Sequence, residues 1–158
     1  MKKHQEPLIR RATKADMPKL LELYKELHPL DPPIDDNMAA DVWEQSINSG
    51  AIYFVADNNE RIVATCYVAI IPNITRLCSP IGFLENIITS TSCRRRGIGR
   101  KLLEAAVDYA KERGCYKVMI QSGIKRTDAH KLYETAGFDS SSKRAFEIRF
   151  NQGNALYP

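Results

Sequence analysis

The stretch from Ile81 to Gly114 constrains this chain more than any other. Ile81 to Thr89 has apolar Ile81, Phe83, Ile87 and Ile88 and reads as a β-strand. Gly97 to Gly114 reads as an amphipathic helix, with Ile98, Leu102, Leu103, Ala106, Tyr109 and Ala110 on one side. Between them lies Arg94-Arg95-Arg96-Gly97-Ile98-Gly99. A strand that feeds a glycine-containing loop at a helix start builds an anion site. The first amides of a helix lack intrahelical partners and lie at the positive end of the helix dipole. Gly97 and Gly99 have no Cβ to keep a ligand away, and Arg94, Arg95, Arg96 and Arg100 add donors suited to phosphate. The spacing is neither that of a P-loop nor the three-glycine dinucleotide fingerprint, which disfavours an ATPase or a Rossmann dehydrogenase.

The remaining elements arrange themselves around this unit. Leu8 to Ala12 is short and extended. Thr13 and Asp16 mark a helix start, and Leu20, Leu21, Leu23, Tyr24 and Leu27 form its apolar stripe up to Pro29, Pro32 and Pro33. Asp35 and Asp36 open a second helix carrying Met38, Val42, Trp43 and Ile47, which stops at Gly50. Ala51 to Ala56 and Arg61 to Ile71 read as a hairpin about Asp57-Asn58-Asn59-Glu60, followed by a loop from Pro72 to Pro80. After the long helix come a strand at Tyr116 to Ile120, a short helix from Thr127 to Ala136 stopped by Gly137, and a last strand from Ala145 to Phe150. The expected fold class is α/β, with a mixed, mostly antiparallel central sheet flanked by helices.

At 158 residues the chain has the length of one ordinary domain, expected to span 1–158. No apolar run approaches the roughly 20 residues that cross a bilayer. The Met1 to Pro7 stretch has basic residues but no apolar core behind them, so neither a secretory signal nor a membrane partner is expected. Cys66, Cys78, Cys93 and Cys115 suit neither zinc nor a disulfide framework; they read as reduced thiols in a cytoplasmic protein with no metal. The net charge of +4 fits an anionic ligand. Nucleic-acid binding calls for a denser basic face and is not expected.

Arg94-x-x-Gly97-x-Gly99 resembles the Q/R-x-x-G-x-G/A signature of the GNAT superfamily of acetyltransferases. The strand Phe83-Leu84-Glu85-Asn86-Ile87-Ile88 precedes it at the family's distance, and Tyr133 to Phe138 resembles the family's Tyr-x-x-x-Gly-Phe element. Ile9 to Asp16 is similar to a GNAT first strand and helix. The resemblance implies the GNAT fold, acetyl-CoA as donor and an amine as acceptor, with a small molecule expected and a peptide or protein as the alternative. It also implies Glu85 as general base, Tyr133 as general acid toward the leaving thiolate, and the backbone of Ile87, Ile88 and Thr89 as the strand edge that binds pantetheine. The Ile87 amide would be the oxyanion donor and the 94–100 segment the diphosphate loop, and a homodimer is expected. Asn86 alternates to the face opposite Glu85. Many relatives carry an asparagine seven residues before the tyrosine; here that position is Arg126, placed among the cofactor contacts. The run Lys125 to His130 resembles a branch that includes aminoalkylphosphonate N-acetyltransferases. His130 reads as a helix-surface residue and His28 as a candidate acceptor contact. Two other classes compete: an acyl-CoA-binding sensor without turnover, against which the presence of both Glu85 and Tyr133 counts, and a basic nucleic-acid-binding domain using the arginines.

Overall fold

The computed structural model describes residues 6–150; Met1 to Gln5, which carry the basic start, and residues 151–158 lie outside them. The chain runs β1 (Leu8–Arg11), a 3-10 turn (Lys14–Asp16), α1 (Met17–Leu27), α2 (Asp36–Asn48), β2 (Ala51–Asp57) and β3 (Ile62–Ile71). A single turn, α3 (Thr75–Cys78), leads to β4 (Ile81–Thr89) and a second 3-10 turn (Thr91–Cys93). Then come α4 (Ile98–Glu112), β5 (Lys117–Ile120) and α5 (Thr127–Thr135). The strands lie in the order β1-β2-β3-β4-β5. The first three pairings are antiparallel and β4 with β5 is parallel. This is the mixed sheet flanked by helices that the sequence implies.

Helices cover both faces. On one, Cys66, Val68 and Leu84 of the sheet meet Leu102, Leu103 and Ala106 of α4 and Tyr133 of α5. On the other, Val55, Ile62 and Ile88 meet Leu20 and Leu23 of α1 and Trp43 of α2. The helix starts follow local chemistry. Asp35 caps α2 by accepting from the amides of Asn37 at 3.1 Å and Met38 at 3.0 Å. Asp16 reaches back to Thr13, accepting from its amide at 2.8 Å and its hydroxyl at 3.1 Å.

Two features of β4 position the site. Its pairing with β5 runs only from Ile81↔Lys117 to Leu84↔Ile120, yet β4 continues to Thr89. Beyond Leu84 the edge that faced β5 has no strand beside it among the described residues. The register with β3 also slips between Thr65 and Tyr67, and Asn86 takes the left-handed conformation at φ 50°. Asn86 is thus the extra residue of a β-bulge, a conformation that asparagine tolerates better than most residues. The simple alternation expected from the sequence breaks at this point, and Asn86 is exposed.

The expected strand at Ala145 to Phe150 does not form; the segment has no sheet partner among the described residues. Its alternating pattern suits a strand, but a strand also needs an edge to join. After α5, Asp139 Oδ1 accepts from the Ser141 amide at 2.8 Å and hydroxyl at 2.7 Å in a tight turn. Beyond that turn the chain leaves the sheet.

A charged triad ties β1 to its neighbours. Arg10 donates to Asp16 through Nη1 and Nη2, both at 2.7 Å, and to Asp57 through Nη2 at 2.7 Å and Nε at 3.2 Å. Arg10 pulls both carboxyls below the usual carboxylate range, Asp16 furthest. A depressed folded-state pKa gives stability that is complete above the unfolded pKa, near 4, and is lost as pH falls toward the folded value. Stability to urea should therefore decline from about pH 5 downward. Arg10→Met should cost on the order of 2–3 kcal/mol at pH 7 by leaving two carboxylates unpaired, and should flatten that acid limb. Urea titrations from pH 3 to 7 measure both; a variant as acid-sensitive as the parent would remove the triad's role.

Candidate active site

The loop between β4 and α4 is held from both sides. Arg94 Nε donates to the Thr89 carbonyl at 3.1 Å, folding the chain back on the end of β4. Glu26 of α1 takes the Ser90 hydroxyl at 2.8 Å, the Thr91 amide at 2.8 Å and the Thr91 hydroxyl at 3.1 Å. These donors, the Thr91 amide foremost, lower the Glu26 pKa, so it braces the loop as an anion. Arg61 adds a bond to Ser92 Oγ at 2.7 Å. Sequence reasoning missed both Glu26 and Arg61. Ser90 lies 64 positions from Glu26, and no local pattern distinguishes this carboxylate from its exposed helical neighbours.

The loop's shape suits a diphosphate. Arg95 and Gly97 are both left-handed, at φ 59° and 74°. A Cβ built on Gly97 would meet nothing within 4 Å, so its outer side is open. Gly99 differs: its Cβ would lie 3.2 Å from both Leu132 Cδ2 and Thr89 Oγ1, so this glycine lets α4 close on α5 and β4. The amides of Ile98, Gly99 and Arg100 occupy the first turn of α4 and have no helical partner. The candidate side chains divide. Ile98 is core at 5% exposure and offers only its amide. Arg94 is committed to Thr89, and Arg100 pairs with Glu104 at 2.8 Å. Arg95 and Arg96 are exposed. An open, cationic rim over unpaired amides is a donor set that fits the diphosphate of CoA.

Of the candidate catalytic pair, one residue lies on β4 just past its pairing with β5 and the other on α5. Glu85 is half-buried and opposite Tyr67 of β3. Burial raises its pKa, against a smaller downward pull from the Asn86 amide. Tyr133 of α5 is 6% exposed, with its ring edge to Phe138 at 6.4 Å. Burial raises its phenol pKa, Arg126 and Ser122 draw it back, and Glu85 pushes it up. Arg126 is exposed, stands at the N-cap of α5 and acts on the Tyr133 phenol. Ser122 was also missed by sequence reasoning. Its hydroxyl is buried with no partner within hydrogen-bonding distance among the described residues, although it is near enough to Tyr133 to shift the phenol.

Beside Glu85, an aromatic row crosses the sheet. Tyr67 tilts against Tyr53 at 5.1 Å, and Tyr53 stacks on Trp43 of α2 at 4.7 Å. Ile87 and Ile88 are buried on opposite faces, and Thr89 lends its carbonyl to Arg94, so these three residues face the gap with backbone. His130 lies on the surface side of α5 and makes one exposed bond. Its Nε2 lies 3.0 Å from the Gly123 carbonyl, which also accepts from the Arg126 amide at 2.9 Å, so the β5–α5 connection is pinned. His28 ends α1 and is exposed. No group of three or more metal-ligating side chains occurs among the described residues, and no helix among them is long and apolar enough to cross a membrane.

The model of the Acetyltransferase (GNAT) family matches residues 17–138. A relative from Oryza sativa subsp. japonica, glucosamine 6-phosphate N-acetyltransferase 1, is 29% identical over 122 residues, covering 75% of this chain and 72% of that protein. A solved structure from Agrobacterium tumefaciens str. C58, assigned as an acetyltransferase, superposes with a TM-score of 0.85 at 38% identity, covering 90% of this chain and 99% of that one. The structure of AAC(6')-Iy with the bisubstrate analogue CoA-S-monomethyl-acetylneamine superposes with a TM-score of 0.74 at 25% identity, covering 91% and 98%. The family match spans well over half the chain and contains the loop, the bulged strand and Tyr133. The chain belongs to the GNAT family and is an acetyl-CoA-dependent N-acetyltransferase.

Proposed function

We propose that this enzyme acetylates the primary amine of a small molecule by direct attack in a ternary complex. It works as a single domain over 1–158, as a cytoplasmic homodimer. The observation that carries this reading is the convergence of a half-buried carboxylate and a buried phenol on the gap beyond Leu84. Relatives named for glucosamine 6-phosphate and for aminoglycosides support a small amine acceptor.

Acetyl-CoA supplies an acetyl group activated as a thioester. Glu85 takes the proton of the acceptor ammonium, directly or through one water. Its raised pKa makes it a stronger base than an exposed glutamate. The free edge of β4 at 87–89 binds the pantetheine arm as an added strand would, and the Ile87 amide faces the developing oxyanion. Tyr133 holds its proton through the neutral range and offers it to the departing sulfur. The amides of 98–100, with Arg95, Arg96 and Gly97, hold the phosphates, and Arg126 adds a cation beside the pantetheine. The acceptor enters between the α1–α2 connection and the loop at 72–80.

Thiol release from acetyl-CoA, screened against amino sugars, polyamines, aminophosphonates, amino acids and peptides, tests the reading. Turnover with at least one small amine and intersecting initial-rate lines are expected. Turnover with peptides alone, or parallel lines from an acetyl-enzyme, would reject it. Tyr133→Phe should lower kcat about 100-fold with little change in acetyl-CoA affinity. Ser122→Ala should lower kcat about 3- to 10-fold and shift the alkaline limb of the rate profile upward, because the phenol loses a group that favours its ionised form. An unmoved limb would make Ser122 mere packing.

A further inference from the structure

Tyr53, Tyr67 and Glu85 stand directly opposite one another on β2, β3 and β4, one residue per strand. Residues in register on adjacent strands share a face of the sheet. Their neighbours in the chain, Phe54, Cys66 and Leu84, belong to the α4 layer and are buried, whereas Tyr53, Tyr67 and Glu85 all keep part of their surface in solvent. Two helices add rings to this face. Trp43 of α2 stacks on Tyr53 at 4.7 Å, and Tyr53 tilts against Tyr67 at 5.1 Å. The Tyr53 hydroxyl donates to Ser46 Oγ at 3.2 Å, which fixes its ring. Tyr24 of α1 packs in the same layer, and its buried hydroxyl has no partner within hydrogen-bonding distance among the described residues. Burial first, and then the Glu85 carboxylate, raises the Tyr67 pKa. Packing alone does not call for so many phenols, since Cys66, Val68 and Leu84 fill the opposite face of the same strands without any.

We infer that the Tyr67 ring seats the acceptor's ammonium beside Glu85, and that the acceptor is a cation bearing no phosphate or carboxylate. It builds on Glu85 as the proposed base and names the kind of amine that reaches it. An ammonium entering a half-buried site gives up water, and an aromatic face offsets part of that loss because the ring quadrupole attracts a cation. The carbon beside the nitrogen gains contact with the same ring. Directly opposed residues have Cβ atoms about 5 Å apart, so a cation over the Tyr67 ring lies within reach of the Glu85 carboxylate or of one water on it. The bulge at Asn86 follows at once and bends β4 at this pair. Charge selects against an acidic acceptor. From Glu26 to Glu60 the chain holds eight carboxylates and no lysine or arginine, in a protein of net charge +4. Asp31, Asp35 and Asp36 lie where α1 gives way to α2, and the loop at 72–80 sets only Arg76 against them. The arginines gather instead at 94–100 and 126, on the cofactor side. The two halves of the site therefore differ in sign: the basic half suits anionic CoA, and the acidic, aromatic half suits a cation.

Three unreactive probes of like length test the seat by titration calorimetry on the CoA-loaded enzyme: pentyltrimethylammonium, 1-hexanol and hexanoate. The cation should bind about 10-fold more tightly than the alcohol, with hexanoate weakest. Tyr67→Leu should weaken the cation about 10-fold and the alcohol less than about 3-fold, whereas Tyr67→Phe, which keeps the ring, should stay within about 3-fold of the parent. Parental CoA affinity and circular dichroism certify the leucine protein as folded; where they are lost, the order of the probes in the unaltered enzyme decides. Thiol release gives a second reading. The kcat/KM for pentylamine over 5-aminopentanoate, and for glucosamine over glucosamine 6-phosphate, should each be at least about 10-fold. With the preferred amine, Tyr67→Leu should raise the acceptor KM and change kcat little, the split expected of a seat and not of a proton carrier. Hexanoate bound as tightly as the cation, no cation bound at about 20 mM, or a cation affinity indifferent to Tyr67→Leu overturns the inference. So does a preference for the acid-bearing member of either pair. Turnover of an acid-bearing amine that Glu85→Gln abolishes would leave the proposed function standing while the cationic seat fell.

Discussion

A Gly97→Glu enzyme is expected to bind acetyl-CoA at least about 100-fold more weakly, a loss of about 2.7 kcal/mol. Gly97 is left-handed at φ 74°, and the space a side chain would take is open. The glutamate therefore projects into the region proposed for phosphate. A carboxylate there repels the ligand and competes for the first amides of α4. Backbone strain from a non-glycine residue adds only about 1–2 kcal/mol to the cost of folding, and Gly97→Ala carries that strain without the charge. Titration calorimetry should show the alanine enzyme within a few-fold of the parent and the glutamate enzyme far below it. Equal affinities with the fold intact would move the phosphates elsewhere. Gly99 makes a poorer probe, because its substitution pushes on Leu132 and Thr89 before it reaches any ligand.

Glu85→Gln should lower kcat by about 100- to 1,000-fold at neutral pH, with acetyl-CoA affinity nearly unchanged. The pH dependence is the sharper signature. A general base acts when deprotonated, and burial raises the pKa of Glu85. The rate should thus climb with pH along a limb lying above the ordinary carboxylate range, and glutamine should erase that limb. Stopped assays from pH 4.5 to 8 decide it. A limb that persists in the glutamine enzyme would belong to another group and would remove Glu85 from the proton transfer.

Local patterns were readable in the sequence; long-range closures were not. The α4 stripe is periodic, and Gly97 and Gly99 flag a helix entry, so the loop and its helix follow from residues a few positions apart. Asp35 announces α2 in the same way. The bulge at Asn86 was hidden because one asparagine in an apolar strand carries no spacing signal. It shows only once β3 is laid beside β4. Glu26 and Ser122 were hidden for a related reason. One is an ordinary helical carboxylate and the other an ordinary loop hydroxyl until Thr91 and Tyr133 are brought to them. The 145–150 segment misled in the opposite direction. Its alternation is genuine, but alternation specifies a conformation and not the edge that receives it.

The bulge also acts as a parity device. Side chains along a strand obey an odd-even rule, and one inserted residue reverses the rule downstream. With Asn86 in place, Ile87 falls to the α4 side and Ile88 to the α1 side. Were Asn86 paired as an ordinary strand residue instead of bulged, those destinations would exchange while Ile81 to Glu85 stayed as they are. The strand would then offer each layer of helices the wrong half of its own residues, so a frame of side chains, rather than any one contact, depends on that single asparagine.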